Sequence, residues 1–598
     1  MAVAVVVAAA GVGGTLALRD DDPSPRPERE VATGSGSAAG PGGAARLADD
    51  DLDAVADLAR RALKGDARPS RRGETALASE RPVFAVVRVA GERVGSDWAV
   101  GASAADNVAA GVAAAAGQAS AEERSAIDVV ELAIAHSFRS LELKGGGGMP
   151  ANVHRGVRGV ELRFGDEVGR YAPTHMLATN RDFDEILDDF RSAHGVSDDE
   201  VGEVTARTFE ADQLLVPVDP SKPPVRMFRG NAVVDVGDVD GAAVERAADL
   251  MTTWLLENVA GDGRMTYTWW PSSGTESTSN NMIRQWMATV ALMRGIDGDA
   301  ARREVALRNL RYNLATFYRE EGGLGVIDFD GEVKLGAVAL AALAIVESPD
   351  RAQFAAQENA LLRTIDRLWH EDGRFDTFLR PESRRGENAN FYPGETLLLW
   401  ATLWRESRDP ALLDRYMRSF EWYRAWHLDE KNRNPAFVPW HTQAHVMVWR
   451  ETRDPKLAAF VVEMNDWLLA MQQWDGVQYP DLAGRFYDPD RSHFGPPHAS
   501  STGVYLEGLI DAYALAAGTD DDARAERYRQ VIVRGLRSVL QLQLADDVDL
   551  YYVSQRDRVR GGVRTEVYDN SIRVDNVQHN LMALRKILAT FSPADFRS

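Results

Sequence analysis

Residues 393–400, Pro393-Gly-Glu-Thr-Leu-Leu-Leu-Trp, decide the fold. Proline is favoured at the first position of a helix. The residues after it are apolar on more than one side, as in a helix packed on both faces. An amphipathic helix precedes it, with Leu362, Ile365, Leu368 and Trp369 at one-faced spacing. A short aromatic, turn-rich segment lies between the two. Working outward, the same unit recurs with Asn281-Met-Ile-Arg-Gln-Trp-Met-Ala, Lys334-Leu-Gly-Ala-Val-Ala-Leu, His441-Thr-Gln-Ala-His-Val-Met-Val, Ser501-Thr-Gly-Val-Tyr-Leu-Glu-Gly and Val574-Asp-Asn-Val-Gln-His-Asn-Leu. Their starts are about 45 to 75 residues apart, close to or above the period of a helical-hairpin repeat. The amphipathic partners are expected near 240–258, 300–318, 351–369, 409–427, 455–473 and 521–543. Helices as apolar as Ala337 to Val346 cannot lie on an open edge without a large exposed patch. Six hairpins therefore predict a closed double ring, apolar helices inside, with a funnel lined by the residues that start them.

The 598 residues include 68 basic and 90 acidic side chains, a formal charge of −22. That balance argues against nucleic acid as a partner. Cysteine is absent, which removes disulfides, thiolate catalysis and every cysteine-based metal site. It also counts against two helical-ring families whose zinc needs cysteine, the lanthionine cyclases and protein prenyltransferases.

Met1 to Leu18 is an apolar run, read as a signal or membrane anchor. Residues 19–46, rich in Pro, Gly, Ser and Ala, read as a flexible linker. Together they predict an exported protein of the cell envelope, membrane-anchored or secreted, and no lipoprotein because no cysteine follows. Residues 47–220 read as a small α/β domain. Val83 to Val89 and Glu92 to Val100 are paired strands, 106–118 a helix capped by Asp106, 159–164 with 166–171 a hairpin, and 183–194 an amphipathic helix. Residues 225–236 look extended, and the ring occupies 225–598.

The segments before the inner helices gather Tyr, Trp, Asp, Arg and His. Aromatic faces stack on pyranose rings while charged groups bond to hydroxyls, so the mouth suits a sugar. Asp330, Glu395, His445, Glu507, Asp575 and His579 are the candidate acids and bases. Glu395, in a first turn where the helix dipole favours the ionised form, fits a base. Glu507, a turn deeper, fits an acid. Asp575, four residues before His579, is placed to orient that imidazole. Arg284, Lys334 and Arg573 would hold a uronate carboxylate, and Tyr392, Trp440, His441, His498 and Tyr568 complete the candidate binding surface. His441 and His445 have the i, i+4 spacing of metal ligands, with His498, His493 or Asp488 as a third. Nothing in the spacing fixes that third ligand, so neither metal nor cofactor is expected.

The hairpin series resembles the (α/α)6-toroid carbohydrate enzymes, which include glycosidases, uronate lyases and sugar epimerases. Asn576-Val-Gln-His-Asn-Leu-Met-Ala-Leu is similar to the last inner helix of the N-acylglucosamine 2-epimerase family. That resemblance implies a funnel histidine, His579, acting as acid or base. The stretch Gly156-Val-Arg-Gly-Val-Glu-Leu-Arg-Phe-Gly-Asp, with Tyr171-Ala-Pro-Thr, resembles the AMMECR-type domain. The Gly-Cys pair of that family is Gly95-Ser96 here, so the resemblance implies a supporting or substrate-presenting role and no activity. The fold class expected is thus mainly α, a (α/α)6 toroid preceded by a small α/β domain. The expected function is glycoside hydrolysis on an envelope or extracellular glycan. Epimerase or lyase chemistry is the nearest alternative, and a non-catalytic glycan- or peptide-binding scaffold the third. Oligomeric state is not legible.

Overall fold

The computed structural model describes residues 46–66, 75, 77–143 and 148–597. The expected anchor and nearly all of the linker lie outside them. Among the described residues no helix is long and apolar enough to cross a membrane.

The N-terminal part is built on a seven-stranded antiparallel sheet: β1 (Val83–Val89), β2 (Glu92–Ala99), β3 (Val129–Leu141), β4 (Arg158–Phe164), β5 (Glu167–Tyr171), β6 (Thr205–Pro217) and β7 (Val225–Met227). The order is β2-β1-β3-β6-β4-β5, with β7 on β6. Side chains alternate across it. Val83, Ala85 and Val87 pack beneath helices α1 (Leu52–Leu63) and α2 (Ala104–Gln118), whereas Phe84 and Val86 meet Trp98 on the other face. Helix α3 (Phe183–His194) packs on β4 through Phe183, Ile186 and Phe190. Two details correct the sequence reading. The cap of α2 is Ser103, whose hydroxyl accepts from the Asp106 N–H, so Asp106 lies inside the helix. Of the extended stretch 225–236, only Val225–Met227 pairs as strand.

The helical part has six outer and six inner helices in alternation. The outer ones are α4 (Gly241–Glu257), α6 (Ala300–Phe317), α8 (Ala355–Leu368), α10 (Pro410–Leu428), α12 (Pro455–Leu468) and α14 (Asp522–Leu542). The inner ones are α5 (Met282–Arg294), α7 (Leu335–Val346), α9 (Tyr392–Ser407), α11 (Phe437–Thr452), α13 (Ala499–Ala517) and α15 (Val574–Thr590). Each inner helix packs on the next, and α15 returns to α5, so the ring is closed. Every residue of α7 is buried, because inner neighbours flank it and α8 covers its back. Outer helices bury one stripe, as Leu361, Ile365 and Leu368 do in α8.

A recurring glycine ties neighbouring outer helices together. Gly263, Gly373, Gly484 and Gly561 all have φ between +88° and +97°. A Cβ there would lie 2.5 Å or less from the carbonyl oxygen of Arg308, Arg418, Arg534 or Leu250, respectively. The turn needs a left-handed residue and the helix leaves no room for a side chain, so only glycine serves.

The sheet part docks on the segments that lead into α13 and α15. Arg229 and Asp481 form a buried ion pair at 2.6 Å. His154 Nδ1 lies 2.6 Å from the Tyr479 hydroxyl, and the Asn570 amide donates to the Leu177 carbonyl.

Candidate functional site

The ring brings the starts of the inner helices to one face, where close backbone contacts set the side chains. A Cβ on Gly503 of α13 would lie 2.7 Å from the Asn580 amide nitrogen of α15, and one on Gly394 of α9 would lie 2.6 Å from Trp440 Cβ of α11. His579 and Glu507 face each other across the first of these contacts, Nδ1 to Oε1 at 2.7 Å. Glu507 is fully buried, while His579 keeps 9 % exposure. An imidazole that donates from Nδ1 to a carboxylate leaves Nε2 as an acceptor. Trp440 meets the His579 ring edge-on at 5.8 Å. Below the pair, Lys586 Nζ donates to the Glu507 carbonyl at 2.6 Å and to Asp511 at 2.5 Å.

Glu395 sits in the first turn of α9, diametrically across the ring from α15, with 1 % exposure. Its Oε2 rests over α7 where only glycine fits: a Cβ on Gly336 would lie 2.1 Å from it. That oxygen has no hydrogen-bond partner among the described residues. Burial pushes the Glu395 carboxyl up to about 8. Desolvation thus favours the protonated form of Glu395, opposite in direction to the helix dipole at its first-turn position.

Asp575 does not orient His579. Burial acts to raise its carboxyl, but Arg573 and Arg284 outweigh burial and hold it well below the usual carboxylate range. Arg573 reaches it at 3.0 and 2.7 Å and Arg284 at 3.0 Å. Arg573 also lies 3.2 Å from His498 Nδ1, and burial, with Arg573 second, lowers that imidazole to about 3. The two arginines expected to hold a uronate thus converge on a carboxylate of the protein itself.

The other candidates are more scattered. Lys334 pairs with Glu332 at 3.1 Å at the mouth, and Tyr392 starts α9 with 6 % exposure. Asp330 is exposed in the turn between strands 324–329 and 332–334, at φ 53°. Tyr568 sits at the seam with the sheet part, its ring 6.0 Å from the Arg229 guanidinium carbon. His441 and His445 point into the wall between α11 and α10, not the funnel. His441 stacks on Phe437 at 3.6 Å, and His445 Nδ1 lies 2.6 Å from the Tyr416 hydroxyl. Among the described residues no group of three His, Asp or Glu is placed to hold a metal. Sequence reasoning alone misses Lys586 and Gly336. Lys586, seven residues after His579 on an apolar inner helix, carried a usable signal.

No protein family and no curated protein matches the sequence. Solved structures resemble the chain at low identity. The structure of a D-mannose isomerase is 12 % identical with a TM-score of 0.45, covering 58 % of this chain and 97 % of that one. The unsaturated glucuronyl hydrolase of Streptococcus agalactiae is 11 % identical with a TM-score of 0.42, covering 60 % of this chain and 98 % of its own. An uncharacterized protein of Pyrococcus horikoshii is 16 % identical with a TM-score of 0.25, covering 30 % of this chain and 98 % of that one.

Proposed function

We propose that the protein is a carbohydrate-active enzyme that moves a proton between carbon atoms of a sugar, as in aldose–ketose isomerisation or epimerisation. The observation that carries this reading is the Glu507–His579 pair, set across the ring from Glu395. His579 Nε2 takes the proton from the carbon beside the sugar carbonyl. The electron pair moves into the carbonyl oxygen, which receives the proton of Glu395. Reversal at the neighbouring carbon, or on the opposite face, returns both protons. The step acts on the open-chain form, which carries the carbonyl that the pyranose lacks, and Trp440 supplies an aromatic wall for the sugar.

Hydrolysis is the second reading, favoured by the raised Glu395 carboxyl, which suits a general acid. Against it, two of the candidate carboxylates are already engaged, Glu507 by His579 and Asp575 by two arginines. Assay of wild type, Glu395→Gln and His579→Gln on free aldoses, ketoses and glycans separates the readings. Interconversion of free sugars, cut about a hundredfold or more by either substitution, supports proton transfer. New reducing ends from glycans without interconversion support hydrolysis. The apolar run before Leu18 is the motive for placing the enzyme at the cell envelope, and a chain lacking residues 1–46 that still pellets with membranes would overturn that placement.

A further inference from the structure

A second feature lies on the same face as the funnel. Beside it, a groove of about 600 Å³ opens between Leu428 and Arg433 on one side and Trp467, Arg491, His493 and Phe494 on the other. All belong to segments at the mouth end of the hairpins of α11 and α13. Arg491 and Phe494 are also walls of a narrow cleft of about 20 Å³, which reaches Ser501 and Tyr505 in the first turns of α13. Three residues before Ser501 stands His498, beside Arg573 of the funnel mouth. The segment 491–498 therefore runs from the groove to the funnel mouth.

The groove is lined by planes. The Arg433 guanidinium lies 4.7 Å from the Trp467 ring centre, and that of Arg491 lies 5.8 Å from both Trp467 and Phe494. Their charges are matched, Arg433 by Glu463 and Arg491 by Asp488. Matched charge disfavours a phosphate or a polyanion, whereas aromatic faces with fixed donors suit uncharged hydroxylated rings. Leu428, 43 % exposed, adds apolar floor. The volume lies within the range of sites for ligands larger than a single sugar ring.

We propose that this groove is a subsite for the outer units of a neutral oligosaccharide whose terminal sugar enters the funnel past Arg491 and Phe494. The preferred substrate is then the reducing end of an oligosaccharide, with free monosaccharides as weaker substrates. This inference rests on the sugar reading of the funnel, and its test keeps the two apart. Binding of glucose, mannose, cellotetraose, mannotetraose and xylotetraose is measured by calorimetry on the full chain, using His579→Gln to prevent turnover. At least one tetrasaccharide is expected to bind about tenfold tighter than its monosaccharide. Leu428→Arg and His493→Glu, both at exposed positions, are expected to remove that advantage while leaving monosaccharide binding unchanged. Trp467→Leu is expected to do the same, and the surface variants guard against its effect on packing. Tetrasaccharides that bind no tighter than monosaccharides, or an advantage that survives the groove substitutions, would overturn the proposal. Groove-dependent tetrasaccharide binding with no turnover of any sugar by wild type supports the groove and removes the funnel chemistry. Absence of all sugar binding removes both.

Discussion

Glu507 Oε1 and His579 Nδ1 lie 2.7 Å apart on neighbouring helices, α13 and α15. The close approach of those helices depends on Gly503, where any Cβ would strike Asn580. The pair is thus set by backbone packing, and its geometry is fixed before any ligand arrives. Lys586 braces it from below through the Glu507 carbonyl.

Replacing Glu507 with Gln keeps the shape but offers Nδ1 an amide, which can also donate. The imidazole then loses its fixed tautomer. Turnover is expected to fall by about a hundredfold or more, with the melting temperature little changed. Steady-state kinetics alongside thermal unfolding checks this, and wild-type turnover in the variant would remove Glu507 from the mechanism.

Gly336→Ala places a methyl group 2.1 Å from Glu395 Oε2. The carboxyl must move, so activity is expected to drop while overpacking costs about 1–3 kcal/mol of stability. Denaturant melts with parallel assays measure both. An unchanged activity would mean that the position of Glu395 is immaterial.

Glu395 also links stability to pH. Its ordinary value is 4.5 and burial raises it to about 8 in the folded chain. Between those values the unfolded chain has lost the proton and the folded chain keeps it, so this group makes folding less favourable as pH rises through that window. Glu395→Gln removes the penalty. Relative to wild type, the variant is expected to gain stability at pH 8 and little at pH 4, while losing turnover. Melting curves at the two pH values test it; equal shifts at both would contradict the burial argument.

The histidines in the wall work on the acid side. Burial lowers His445 to about 3, and burial, with Arg433 second, lowers His427 to about 3. Burial, with His445 and His427 next, holds His441 well below its ordinary value of 6.5. As pH falls below 6.5 the unfolded chain takes up these protons first, so stability is lost from there downward. Both ring nitrogens of His441 lack partners among the described residues. His441→Phe therefore sacrifices no hydrogen bond and is expected to shift acid unfolding to lower pH. Unfolding followed by circular dichroism against pH reads this directly.

The ring was legible because apolarity on all sides of a short helix has few structural causes. Glu395, Glu507 and His579 stood out as polar groups on such helices. Their roles were harder to read. Spacing pairs Asp575 with His579 four residues on, yet the partner came from another helix, and register between helices is not written in either one. His441 and His445 show the same limit: i, i+4 spacing defines a face, not the layer that face meets. Strand β3 at the centre of the sheet, Val129 to Leu141, is hard to read from sequence because its buried run lacks the alternation that marks a half-exposed strand. The burial that raises the Glu395 carboxyl comes from neighbouring helices, among them α7, whose Gly336 it overlies.

The central claim is that His579 moves a proton to and from a sugar carbon while Glu395 serves the adjoining oxygen. Wild type incubated in deuterium oxide with an interconverting sugar, followed by proton NMR, tests it most directly. Deuterium is expected to enter at the carbon beside the carbonyl, with exchange abolished by His579→Gln and strongly slowed by Glu507→Gln. Turnover of a sugar or glycan without any carbon-bound exchange would contradict it.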